Sequence, residues 1–323
     1  MITINDIEIF ITTHNRADLI SESIDSLLNQ TIKPEKITVL DNESTDDTEN
    51  IIKKYSDKGV EYLKTFGFLG NYNKAKEIAS KKYCMLFHDD DILHPKYLEM
   101  AIKILNKYTN ISLITTRYKE FEDRNVPDFA KKINPTYFLF KKQKDFAAHM
   151  YFIEHISYAP AIYRTEDFKK TPLEYEKYNK FNDWPLMVKM SAYGKTILFD
   201  DKNIMLCRRH SGQDTWTYTN VPNLEQIVNW DKLFFDAMQL KNSKFSILQK
   251  MFNRKSWCFM KGKYTAFIPP EEKEKHTENE LYIIAQKNNL FPDQSQKKAS
   301  FYISKTIKIL NYIIKNIKCK HVR

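Results

Sequence analysis

An α/β fold with a mostly parallel sheet flanked by helices, followed by a helical carboxyl-terminal appendage, is what this 323-residue sequence predicts. Short apolar runs alternate with helix-period segments through residues 8–115, the pattern of repeated β-α units. Each loop after an apolar run carries polar residues that would converge on one edge of the sheet. From Val221 onward the pattern turns helical and aromatic, with Phe234, Phe235, Phe252, Trp257 and Phe259. The expected division is therefore 1–220 for the sheet domain and 221–323 for the appendage. Hydrophobic residues make up 42% of the chain, enough for a core.

The elements follow in order. Glu8–Thr12 reads as a first buried strand, with His14, Asn15 and Arg16 in the loop after it. Ile20, Ile24, Leu27 and Leu28 then make one apolar helix face. Pro34 marks a turn before a second strand, Lys36–Leu40, which ends at Asp41. An acid there suits a hydrogen bond to a ribose or base, or a helix cap. Ser44 and Asp47 resemble a capping box for a helix running to about Tyr55. Val60–Leu63 is a short third strand, and Asn71–Ser80 a helix.

Tyr83–Phe87 is a fourth strand, apolar enough to be buried on both faces, and it runs into Asp89, Asp90 and Asp91. Three adjacent carboxylates repel one another, and a hard divalent ion with oxygen ligands, Mg²⁺ or Mn²⁺, relieves that repulsion. The cluster reads as a metal–diphosphate site or as a solvated acidic turn. Pro95 opens the next helix, with Leu98, Ile102 and Leu105 buried, and Ile111–Thr115 is a fifth strand.

Beyond it the periodicity fails. Residues 117–150, rich in Lys, Phe and Asp, read as a mobile loop region, and Ser157–Tyr163 as a short apolar strand. Asp183 stands at a helix start, with Gly194 as its stop. Asp183 reads as a capping acid, and Trp184 as a ligand-stacking or core aromatic. Thr196–Phe199 and Ile204–Cys207 are two more short strands. Arg208, Arg209 and His210 then suit a diphosphate, with His210 as an extra metal ligand, or form a solvated basic turn. Residues 211–220 read as a flexible loop.

Charge and cysteines narrow the classes. The net charge is +10, but residues 295–323 hold eight of the 51 Lys/Arg and none of the 41 acids. Residues 1–294 thus carry 43 bases against 41 acids, which argues against a nucleic-acid binder. The four cysteines show no disulfide or zinc spacing, and no signal peptide or membrane span is read, so a cytoplasmic protein is expected. Ile303, Ile307, Leu310, Ile314 and Ile317 form one face of a basic helix. Residues 297–323 would lie on an anionic membrane surface, or pack their stripe on protein.

The pieces I-T-T-H-N-R (11–16), V-L-D-N-E-S-T-D-D-T (39–48), G-N-Y-N-K-A (70–75), F-H-D-D-D-I-L-H-P (87–95), N-D-W (182–184) and C-R-R-H-S-G-Q (207–213) together resemble the family 2 glycosyltransferases of the GT-A fold. The resemblance implies a metal-dependent inverting transferase that builds bacterial surface polysaccharide from a nucleotide-sugar, UDP-sugar foremost, on a glycan or lipid-linked acceptor. It implies base contacts by Thr13 and Asp41, nucleotide contacts by Asn15, Arg16 and Asn71 or Asn73, and a ribose contact by Asp89. Asp90 takes the metal-ligand position of the D-x-D element, with Asp91 a second ligand or a support for the site. His88 departs from the family, many of whose members carry an Asp there. Asp183 takes the place of the catalytic base. A sugar-phosphate nucleotidyltransferase is the alternative, but the first loop lacks its glycines. A non-catalytic protein held to a membrane by the basic tail is another. A processive synthase would carry membrane spans and Q-x-x-R-W, neither of which is present.

Overall fold

The structure, a computed structural model, describes residues 1–67, 69–122, 126–129, 133, 136–152, 156, 158–178, 182–210, 212–213, 224–239 and 320–321. The expected helix over 303–317 and its membrane face lie outside them, as do residue 211 and the loop at 214–220. Among the described residues no helix is long and apolar enough to cross a membrane.

The amino-terminal half follows the alternation. β1 (Ile7–Thr13), α1 (Ile20–Leu28), β2 (Ile37–Asn42), α2 (Thr48–Lys53), β3 (Val60–Thr65), α3 (Gly70–Ile78), β4 (Tyr83–His88), the two-residue β5 (Ile92–Leu93), α4 (Tyr97–Lys107) and β6 (Ile111–Thr116) come in that order. β4, β1, β2 and β3 lie side by side and parallel. Side chains on both faces of β4 are buried, because helices cover the sheet on each side. Apolar β-branched and aromatic residues such as Ile9, Ile11, Val39 and Phe87 fill this central layer. α2 begins at Asp47 without the expected capping box: Ser44 turns to Asp41, and Asp46 instead accepts from the Thr48 N–H.

The second half departs from the simple alternation. Residues 117–150, expected as a mobile loop, contain β7 (Lys119–Glu122), β8 (Thr136–Phe140) and most of α5 (Gln143–Phe152). β9 (Ala161–Arg164) inserts between β4 and β6 and runs antiparallel to both. The fifth strand of the alternation is therefore separated from the fourth. α6 (Thr165–Lys170), α7 (Tyr175–Tyr178), α8 (Asp183–Met190), β10 (Lys195–Phe199) and β11 (Met205–Arg209) complete the domain. α9 (Leu224–Ala237) lies past the expected boundary yet packs on α5, α7 and α8 and buries Trp230 and Phe234. β12 (Lys320–His321) adds an edge strand beside β8. The main sheet order is β12-β8-β10-β6-β9-β4-β1-β2-β3, and β5, β11 and β7 form a small second sheet.

The turn after α8 needs its glycine. A Cβ on Gly194 would lie 2.6 Å from the Asn110 carbonyl oxygen, so any side chain there forces the β6 and β10 ends apart.

Ile162 touches both neighbours of the inserted strand, paired to Met85 on one side and Ile114 on the other, and is 1% exposed. Ile162→Ala is expected to lower stability by roughly 2–5 kcal/mol, measured by urea unfolding with far-UV circular dichroism.

Candidate functional site

The carboxyl ends of β1, β2 and β4 lie side by side, because the parallel register pairs Thr13 with Asp41 and Thr12 with His88. The expected residues of the first loops do meet there. Thr13 is buried at the end of β1. Asn15 has a left-handed backbone, and its side-chain oxygen accepts the Thr45 N–H at 2.8 Å. Arg16 donates to the Gly212 carbonyl at 2.8 Å and stands 3.7 Å from Asp89. The β1 loop and the segment after β11 are thereby joined.

Two of the expected nucleotide contacts are already engaged within the protein. Asp41 is buried, with one oxygen accepting from the Ser44 hydroxyl at 2.5 Å and N–H at 3.1 Å and the other from the Tyr62 hydroxyl at 2.9 Å. Burial and this bond raise the tyrosine pKa. Asn71 bridges β3 and β1, accepting from Thr65 at 2.6 Å and donating to the Thr13 carbonyl at 3.2 Å. Asn73 is exposed on α3 and shows no comparable bond among the described contacts.

The three acids are 7%, 8% and 2% exposed for Asp89, Asp90 and Asp91, so they form no solvated turn. Each has its own partners. Asp89 accepts the His14 N–H at 3.3 Å. Burial first, and the charge of Asp90 second, push it up to about 7, against the pull of Arg16, Thr13 and the His14 N–H. Burial would raise Asp90 too, but its hydrogen bond with His210 and the positive charge of His88 and Arg16 hold it below the ordinary value. The His210 Nε2 to Asp90 Oδ2 distance is 3.2 Å. Asp91 accepts the Arg208 N–H at 3.2 Å, and burial with the Asp90 charge raises it well above the ordinary value.

Arg208 corrects the expectation of a diphosphate contact. Its side chain is fully buried, donates from Nε to the Asp90 carbonyl at 3.0 Å, pairs with Glu22 and lies over the Phe121 ring at 4.7 Å. It holds the acidic turn from behind. Arg209 pairs with Glu120, and Gln213 folds back onto the Arg208 and His210 carbonyls. The partners Glu22 and Phe121 come from distant elements, and no sequence spacing marks them.

Asp183 is the first residue of α8, with Asn182 as its cap; the Asn182 side chain accepts the Glu174 N–H at 2.9 Å. Burial first, then Tyr72, with a smaller part from the Asp183 charge, raises the buried hydroxyls of Tyr158 and Tyr163. Tyr158 packs against His88 with ring centroids 5.6 Å apart. His88 in turn stands 3.7 Å from Asp91. Trp184 belongs to the core: it packs on Trp230 of α9 at 5.7 Å.

The cluster fits a divalent cation. His88, Asp90 and Asp91 each offer a ligand atom, all within 4.8 Å of one another, and His210 adjoins Asp90. Two buried carboxyls driven upward by burial and then by like charge mark a place short of positive charge. His88 was visible in the sequence only as a departure from D-x-D; the H-x-D-D spacing at a strand end was its signal.

The fold is that of the GT-A glycosyltransferases, and the comparisons with known proteins agree. The glycosyl transferase family 2 model matches residues 8–171, half of the chain, and the chain belongs to that family. An uncharacterized glycosyltransferase of Methanocaldococcus jannaschii is 31% identical over 58% of this chain and 64% of its own length. The Escherichia coli UDP-Glc:alpha-D-GlcNAc-diphosphoundecaprenol beta-1,3-glucosyltransferase is 30% identical over 37% of this chain and 48% of its own. The fold is shared with S. aureus TarS, solved with UDP, at a TM-score of 0.53 and 17% identity over 83% of this chain and 77% of that one.

The carboxyl shifts set a pH dependence. With a folded value near 7 against an ordinary 3.8, Asp89 stays protonated in the folded chain where the unfolded chain ionises. Its stabilisation is full below its ordinary value and is lost as pH rises through about 7, with Asp91 acting in the same direction. Asp90, held low, has the opposite sign but acts only below its ordinary value. The melting temperature of EDTA-treated protein should fall as pH climbs from about 5 to about 7.5, and added Mn²⁺ should raise it more at the upper pH. Differential scanning calorimetry at both pH values checks this. Arg208→Met should lower stability, on the order of 3 kcal/mol, and weaken the Mn²⁺-induced rise.

Proposed function

We propose that this protein is a metal-dependent inverting glycosyltransferase that moves a sugar from a nucleotide-sugar, a UDP-sugar foremost, to a hydroxyl of a glycan or lipid-linked acceptor in surface polysaccharide synthesis. The observation that carries the reading is the buried Asp89–Asp91 cluster at the end of β4, with His88 and Tyr158 packed beside it. A donor site there and an acceptor base at Asp183 are the minimum parts for the reaction. The activity of the E. coli relative, transfer of glucose from UDP-Glc to a lipid diphosphate, supports both the donor and the acceptor class.

In this reading Asp183 accepts the proton of the acceptor hydroxyl. The acceptor oxygen forms the new bond to the anomeric carbon as the bond to the nucleoside diphosphate breaks on the opposite face, which inverts the centre. Asp183 sits at a helix amino terminus, where the helix dipole favours its ionised, proton-accepting form. Thr13, Asn15 and Arg16 line the nucleotide side, and Arg16 places a cation beside Asp89. His88, Asp90, Asp91 and His210 would hold Mn²⁺ or Mg²⁺, which when bound offsets negative charge on the departing diphosphate. Arg208 has a positioning role, holding the Asp90 carbonyl and Asp91 carboxylate together.

The test is product analysis with UDP-sugars and Mn²⁺: nucleoside diphosphate should be released, and pyrophosphate release would contradict the reading. Asp183→Asn should lower transfer by about 10²–10⁴-fold while leaving UDP binding within a few fold, read by single-turnover assay and calorimetry. Wild-type transfer by that variant would remove Asp183 from the role.

A further inference from the structure

We propose that His88 is itself a ligand of the divalent cation and tunes the site toward first-row transition ions over Mg²⁺. This rests on the metal-dependent reading above. His88 closes β4, and its Nδ1 lies 3.7 Å from Asp91 Oδ2. A ligand atom of His88, one of Asp90 and one of Asp91 lie within 4.8 Å of one another, close enough for one small ion to reach all three. No such triad joins His210 to both acids among the described residues, although His210 adjoins Asp90.

The imidazole is also held in place. Tyr158, 3% exposed, packs against its ring at 5.6 Å, and Tyr158 is fixed in turn by Tyr72 and Tyr163 at 5.4 and 6.4 Å. The His88 side chain keeps 37% of its surface exposed, so the ring is backed on one side by Tyr158 and reached by solvent on another. A ring fixed against a buried wall loses little freedom on binding an ion.

The ligand type sets the selectivity. Mg²⁺ favours oxygen donors and near-ideal octahedral geometry. An imidazole nitrogen among carboxylates strengthens binding of first-row ions, more so along the series from Mn²⁺ to Co²⁺. Two acids and one histidine therefore give a site whose preference for Co²⁺ over Mg²⁺ exceeds that of three acids in the same place.

The experiment is calorimetric titration of the full-length protein with Mg²⁺, Mn²⁺ and Co²⁺, alone and with UDP, together with the visible spectrum of bound Co²⁺. Wild type is compared with His88→Asp, His88→Gln and His210→Ala, each checked for folding by circular dichroism. His88→Asp should reduce the Co²⁺-to-Mg²⁺ affinity ratio by about tenfold or more, with a smaller drop for Mn²⁺, and His88→Gln should change the Co²⁺ spectrum. An unchanged ratio and spectrum in both His88 variants overturns the assignment and leaves metal dependence standing. A spectral change confined to His210→Ala does the same. Absence of stoichiometric binding by wild type, with or without UDP, overturns the metal reading together with this one.

Discussion

Like-charge repulsion among three consecutive buried carboxylates is the constraint around which this domain is arranged. Asp89, Asp90 and Asp91 follow directly from the central strand β4, where both faces of the sheet are covered and water is scarce. Bare charges there would interact far more strongly than at a surface. The chain answers with separate partners for each acid: His14 N–H and Arg16 for the first, His210 for the second, the Arg208 N–H for the third. Those partners come from the loop after β1, from β11 and from the loop after β11. The small second sheet is thereby explained: β11 must return beside β5 to bring Arg208 and His210 against the acids.

Arg208 shows how a cation can serve a site without touching its ligand. A fully buried guanidinium is tolerated only when its donors are used, and here Glu22, the Asp90 carbonyl and the Phe121 face use them. Its positive charge offsets part of the acidic cluster from behind, while its rigidity fixes the Asp90 backbone. Arg16, by contrast, keeps part of its side chain exposed beside Asp89 and reaches Gly212. One arginine sets the shape of the acidic turn; the other ties the loop after β1 to the segment after β11.

Much of this was legible in the sequence. β1, β2, β4, α1 and α4 have apolar periodicities set by burial on both faces or on one stripe, and they lie within a residue or two of expectation. Thr13, Asp89 and Asp90 converge because parallel strands deliver their loops to the same edge, and His210 reaches them from the loop after β11 of the second sheet. β8 and α5 were missed because residues 117–150 mix charge with aromatic residues, and their burial depends on a sheet edge that no local pattern announces. Asp41, Asn71 and Arg208 read as ligand contacts from the sequence, since a polar residue at a strand end looks the same whether it faces a ligand or a neighbour. Only the fold reveals Tyr62, Thr65 and Glu22 as the groups they meet.

The inserted strand is the device that joins the two halves of the site. β9 runs antiparallel to β4 with Ala161 opposite Leu86, so the residues just before Ala161 must lie beside those just after Leu86. That register alone sets Tyr158 against His88. A parallel strand in the same slot would have carried its preceding residues to the opposite edge, away from the acids. Tyr158 and Tyr163, both buried, then form an aromatic wall beside His88. The departure from a simple parallel alternation is therefore what sets that wall against the residue that opens the acidic turn.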